Sequence, residues 1–283
     1  MDLFDQCEEA LLAKAREVLA RDRLLLPTLP EHSARIRNAI ACDDVSLAEL
    51  VRVIQSDPAL TARILTVANS AMARRGREVR DLRSAVVRLG LGKVRSLANS
   101  LLLLQTLSSI GPPDMQARLR AIHGHIIAVG ALSYALAAQT RHLDPEQAMI
   151  AGLIHDIGRL PLTRWVYEHP TLARFRKGTE RLTYRLHAEI GASLLRTWGF
   201  PQHLVDVAAK HEQVTELHGA DADYLDVVIV ANLECRDTEQ EGSSLEIDLA
   251  TVPAYHKLGI RPAGSASERF IEHLRIGEQL LTA

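Results

Sequence analysis

The chain has 283 residues, of which 47% are hydrophobic and 24% charged, with a net charge of −2. That is the makeup of a globular protein with room for a sizeable core, as one large domain or two smaller ones. The near balance of charge gives no global pull toward nucleic acid or an anionic membrane, and 4% aromatic residues leave few base-stacking platforms. Cys7, Cys42 and Cys235 are far apart, without a C-x-x-C spacing. They form neither a disulfide framework nor a zinc knuckle, which suits a reducing compartment.

The first twenty residues, "MDLFDQCEEALLAKAREVLA", are acidic and amphipathic and lack the basic start and apolar centre of a signal peptide. A cytoplasmic location is therefore expected. Apolar residues recur at helical spacing along nearly the whole chain, so the expected class is all-α. Ser46-Leu-Ala-Glu49 reads as a capping box before "LVRVIQ". Asp57 and Pro58 mark the next start, with Leu60, Ile64, Leu65 and Ala68 on one apolar face. Gly90 and Gly92 are expected to end one helix and precede another.

The stretch "SSIGPPDMQ" around 108–116 breaks the helical pattern. It divides an expected N-terminal helical lobe, residues 1–107, from a lobe of residues 108–283 that holds most histidines. "IIAVGALSYALAA" at 126–138 is the longest apolar run and is too short to span a bilayer. The acidic, polar "RDTEQEGSSLEID" at 236–248 reads as an exposed loop.

Four histidines lie in apolar, helix-like surroundings: His125, His155, His187 and His211, spaced by 30, 32 and 24 residues. His155 is followed by Asp156 in "GLIHDIGRLP". Each gap fits a helix plus its connection, and a bundle can assemble a metal site from side chains on separate helices. A lone histidine on an apolar helix is ordinarily a satisfied core residue. Four of them, one joined to a carboxylate, point toward a shared site. Imidazole with carboxylate suits iron, manganese, zinc or nickel, as one ion or two. The remaining histidines read as exposed or locally bonded.

"AGLIHDIGRLPL" resembles the HD superfamily of metal-dependent phosphohydrolases. From about residue 24 to 260 the chain more closely resembles the bacterial HDOD branch, the HD-related output domain. That resemblance rests on "LPTLPEHSARI", "VIQSDPALTARILTVANSA", "LRSAVVRLGLGKVRSLA", "HDIGRL", "HAEIGASLLRTWGFPQHLVDVAAKH" and "YHKLGI", in that order. It implies an HD-like helical bundle with an additional packed N-terminal lobe. By position it makes His125, His155 and Asp156 the first metal site, and His187 and His211 the histidines of a second. The last HD ligand is normally an aspartate, and this chain offers Asn232 there, a poorer, neutral ligand. Asp226, six residues earlier, falls on another side of a helix. Because Asp156 would bridge the two positions, both are expected to weaken together.

Arg159 stands where the cyclic-di-GMP-hydrolysing HD-GYP branch has lysine, and it could grip a phosphate bidentately. The GYP motif and a second histidine beside His211 are missing. His155, Asp156 and Arg159 are the candidate catalytic residues. The resemblance implies a signalling or regulatory module with a partly degenerate metal site and weak or no hydrolase activity. Two alternatives stand beside it. One is an active metal-dependent phosphohydrolase acting on a nucleotide or phosphoester. The other is nucleic-acid binding through nine Lys/Arg between 61 and 95, opposed only by Glu78 and Asp81. The expected partner is an unidentified signalling protein or nucleotide ligand, with neither nucleic acid nor membrane, and the oligomeric state is open.

Overall fold

The structure is a computed structural model, and it describes residues 35–36, 38–40, 45–70, 79–107, 112–169, 176–235 and 247–262. The N-terminal amphipathic stretch, residues 108–111 of the 108–116 break and nearly all of the 236–248 loop lie outside the described residues. Among those residues there are helices and no strand.

Among the described residues, α1 Leu47–Gln55, α2 Pro58–Ser70, α3 Leu82–Leu89 and α4 Leu91–Leu107 precede the break, and residues 35–36 and 38–40 are helical as well. Their starts follow the caps legible in the sequence. Ser46 Oγ accepts from the Glu49 N–H, the forward half of a capping box. The buried Asp57 accepts from the Leu60 N–H at 3.0 Å. Asn69 pairs with both backbone groups of Val79, closing the connection from α2 toward α3. Gly90 ends α3 with φ +88°, a conformation that costs other residues dearly. Gly92, expected to lie between helices, is instead inside the first turn of α4, which begins at Leu91. One left-handed residue is enough to redirect the chain.

The second group comprises α5 Pro113–Ala137, α6 Pro145–Ile154, α7 Arg159–Glu168, α8 Arg176–Thr197, α9 Gln202–Lys210, α10 Tyr224–Glu234 and α11 Pro253–Leu258. The long α5 packs on α6, α7 and α10, while α8 packs on α7 and α9. By length and hydropathy alone α5 could cross a membrane. Half of its apolar window is buried inside the protein, however, and it serves as the central core helix.

Glycines bring α5 and α6 together. A Cβ on Gly152 would lie 2.6 Å from Gly130 Cα, so only glycine lets the backbones approach this closely. One apolar core runs from Ile36 to Tyr255 through both helical groups. Across the outside, Lys93 at the start of α4 pairs with Asp144, the N-cap of α6, and with Glu146 at 3.7 Å.

At the other end, Asp223 and Asp226 form a reciprocal capping box at the start of α10. Asp226 also pairs with Lys257. The buried Tyr255 hydroxyl donates to Glu234 at 2.6 Å, fastening α11 to α10.

Candidate metal centre

The HD pair sits where α6 stops. Helix α6 is capped by Asp144, which accepts from the N–H groups of Glu146 and Gln147, with Pro145 at the first helical position. His155 follows its last residue, and a tight turn through Gly158 starts α7. A Cβ at Gly158 would lie 2.0 Å from the His187 carbonyl oxygen. The glycine therefore allows α8 to lie directly on the turn, which carries His187 to Asp156.

The structure brings together all the residues singled out from the sequence. His125 comes from α5, His155 and Asp156 from the turn, His187 from α8, His211 from the end of α9 and Asn232 from α10. His155 and His211 are completely buried, and Asp156, His187 and Asn232 nearly so. His125 keeps 14% of its side chain exposed.

The hydrogen bonds fix which ring nitrogens face inward. His155 Nδ1 donates to the Gly152 carbonyl at 2.7 Å, His187 Nδ1 to Thr183 at 3.1 Å and His211 Nδ1 to Ala208 at 3.0 Å. A neutral imidazole that donates through Nδ1 presents a lone pair at Nε2, the tautomer a metal requires. The Nε2 atoms of His187 and His211 then face each other at 3.0 Å. Two lone pairs at that separation repel unless a cation, proton or metal, lies between them. His155 Nε2 is buried without a hydrogen-bond partner. Such a group is costly in a protein interior, and a metal would satisfy it.

Asp156 stands at the centre with its oxygens turned different ways. Oδ1 lies 3.2 Å from His187 Nε2 and 3.3 Å from His211 Nε2. Oδ2 lies 3.6 Å from His155 Nε2 and 3.7 Å from His125 Nε2. Two groups of donors with metal-ligand spacing result, His125–His155–Asp156 and Asp156–His187–His211. Their chemistry fits a divalent transition ion, with His125, His155, His187, His211 and Asp156 available to hold it.

Arg159 Nη1 donates to Asp156 Oδ2 at 2.9 Å. The guanidinium expected to grip a phosphate is thus engaged with the central carboxylate. Asn232 reaches the cluster, its Oδ1 3.0 Å from His125 Nε2. Asp226 stays with its cap and Lys257.

Electrostatics follows from this packing. Burial pushes His155 down to about 3 and also lowers His187. Burial alone would lower His211 too, but hydrogen bonding to Asp156, with the charges of Asp156 and Glu212, raises it. Burial would raise Asp156, yet Arg159 and the surrounding imidazoles hold it well below the usual carboxylate range.

Sequence reasoning missed Glu212. Its Oε1 lies 3.6 Å from His211 Nε2 and 3.7 Å from His187 Nε2, while Oε2 accepts from the Tyr184 hydroxyl at 2.9 Å. The signal was present in "KHEQV", a carboxylate directly beside His211 where the resemblance led to the expectation of a second histidine. The basic stretch 61–95 is different in kind. Residues 71–78 lie outside the described residues, Lys93 is paired with Asp144 and Glu146, and Arg88 reaches the Ala68 carbonyl.

Comparison with known proteins follows the same pattern. The family model of the HDOD domain matches residues 26–214. A crystal structure from Shewanella amazonensis, provisionally named a metal-dependent phosphohydrolase, is 25% identical with a TM-score of 0.75, covering 96% of this chain and 99% of its own. A Geobacter sulfurreducens HDOD domain protein with unknown function is 22% identical with a TM-score of 0.61, covering 97% and 99%, a likeness of fold. An uncharacterised protein of Treponema pallidum is 26% identical over 226 residues, 76% of this chain. The chain spans 43% of the length of that relative. With the HDOD model covering most of its length and the HD residues gathered at one buried centre, the chain belongs to the HDOD family.

Proposed function

We propose that the protein is a regulatory HDOD module whose HD-like centre binds a divalent metal but hydrolyses phosphoesters weakly or not at all. The observation that carries this reading is the orientation of the imidazoles. Three buried histidines direct Nε2 lone pairs toward one carboxylate, a costly arrangement that a cation would stabilise.

A divalent ion there would supply the means to activate water and polarise a phosphoryl oxygen. The chain's own groups favour retention over turnover. Asn232 brings a neutral amide where a carboxylate would help orient an attacking water. Arg159 spends a donor on Asp156 and so is less available to a phosphate. His125 is the least buried of the four histidines, and with the more exposed Arg159 and Glu212 it marks where a ligand would approach.

The test begins with metal analysis of protein purified without chelators or a polyhistidine tag. Turnover of generic phosphodiesters and nucleotides is then assayed with manganese or iron supplied. Bound metal with negligible turnover is the expected result. Robust turnover that disappears in His155→Ala would establish the phosphohydrolase instead.

A further inference from the structure

We propose that this chain holds a single divalent cation at the Asp156–His187–His211 position, with Glu212 as its additional carboxylate ligand, and leaves the His125–His155 position without one. The proposal rests on the metal-binding reading above and deepens it by choosing between the two positions.

The first reason is spacing. Ligands bound about 2.1 Å from one ion lie roughly 3.0–3.4 Å apart for bond angles near 90–110°. His187 Nε2, His211 Nε2 and Asp156 Oδ1 are mutually separated by 3.0, 3.2 and 3.3 Å. At the other position both imidazole nitrogens lie farther from Oδ2, at 3.6 and 3.7 Å.

The second reason is competition. Arg159 Nη1 already donates to Oδ2 at 2.9 Å, placing a fixed positive charge beside the oxygen a first-position ion needs. His125 Nε2 faces Asn232 Oδ1 at 3.0 Å, a distance at which the two can hydrogen-bond with no ion present. Neither the guanidinium nor the amide reaches Oδ1, whose neighbours are the Nε2 atoms of His187 and His211, the same imidazoles that would share the ion with it.

The third reason is charge. Glu212 Oε1 stands 3.6–3.7 Å from both histidines, within the movement of one carboxylate torsion. The Tyr184 hydroxyl holds the opposite oxygen at 2.9 Å, so it acts as a positioning residue that turns Oε1 inward. Asp156 and Glu212 together neutralise a divalent ion. A second carboxylate beside two imidazoles moves the preference toward Mn²⁺ and Fe²⁺, which favour oxygen more than softer ions do. The loss of carboxylate at Asn232 and its presence at Glu212 move the favoured ion from one position to the other.

The test is titration of the metal-stripped 283-residue chain with Mn²⁺, free Mn²⁺ being read by electron paramagnetic resonance. One equivalent is expected in the wild type. His211→Ala should abolish it, Glu212→Gln should weaken it about tenfold, and His125→Ala should change it less than about threefold. Tyr184→Phe should weaken it severalfold without shifting the melting temperature of the metal-free protein. Glu212 is partly exposed, so Glu212→Gln keeps the test valid if a histidine variant folds poorly.

Two equivalents in the wild type, loss in His125→Ala with retention in His211→Ala, or unchanged affinity in a folded Glu212→Gln would each overturn the assignment while leaving a metal centre in place. Absence of any Mn²⁺, Fe²⁺ or Zn²⁺ binding by the wild type would overturn the metal-binding reading itself, and this proposal with it.

Discussion

Asn232 Oδ1 lies 3.0 Å from His125 Nε2, so the amide meets the outermost histidine of the cluster where a carboxylate could have shared an ion with it. The two side chains come from α10 and α5, helices packed against each other in the core. Replacing the amide by a carboxylate changes charge while nearly preserving shape. Asn232→Asp is expected to raise metal affinity at the His125–His155 position about tenfold, roughly 1.4 kcal/mol, and to move Mn²⁺ stoichiometry above the wild-type value. Equilibrium dialysis of both proteins measures this. Equal stoichiometry and affinity would show that Asn232 is not what weakens that position.

Gly158 carries the geometry of the turn. A methyl group there would meet the His187 carbonyl at 2.0 Å and the Gly191 nitrogen at 2.6 Å, both backbone atoms that cannot swing aside. Gly158→Ala must push α8 away from the turn. A loss of about 3 kcal/mol is expected, with weakened metal binding, because His187 moves with its backbone. Urea denaturation and Mn²⁺ titration read the two effects. A stable variant with normal affinity would contradict the close approach of α8.

Much of this site was legible in the sequence because its signals are local. His155, Asp156 and Gly158 are nearly consecutive, and His125, His187 and His211 each open or end an apolar helical run. The caps at Ser46 and Asp57 were legible for the same reason, since a cap concerns residues three apart. Glu212 was missed because it matters through Tyr184, 28 residues away, and through the meeting of α8 with α9. The role of Arg159 depended on its rotamer. A guanidinium beside "HD" can turn toward a ligand or back onto Asp156, and only the fold decides between them. Lys93 read as part of a basic stripe because its acidic partners lie some fifty residues later.

Lys93 joins the first helical group to the start of α6, the helix that ends in His155. Lys93 and Asp144 keep 29% and 35% of their side chains exposed, so solvent screens the pair. Lys93→Ala is expected to cost only about 1 kcal/mol. Because the apolar core continues through both groups, unfolding should remain a single transition. Calorimetry checks this. Two resolved transitions would mean that the lobes divided near 108–116 are held together chiefly by this ion pair rather than by the core.

His155 ties stability to pH in a direction that can be worked out. Free histidine titrates near 6.5, but burial holds His155 down to about 3. As pH falls below 6.5 the unfolded chain takes up a proton at this residue and the folded chain does not. The stability associated with neutral His155 is therefore fully present above pH 6.5 and is lost as pH falls toward 3. His187 is lowered as well and acts in the same sense. His211 is raised, so its contribution is full at low pH and fades as pH rises through its folded value. Asp156, lowered from 3.8, shares the sign of His155 but acts in a more acidic window. Between pH 6.5 and 4.5, removing His155 should therefore make the stability of the metal-free protein less sensitive to acid. The slope should fall by up to about 1.4 kcal/mol per pH unit, the value for one proton. Urea denaturation of wild type and His155→Gln in a metal chelator, at half-unit pH steps, gives the two slopes. Parallel curves would mean that His155 accepts a proton in the folded state, and so that its Nε2 is not the buried lone pair the geometry presents.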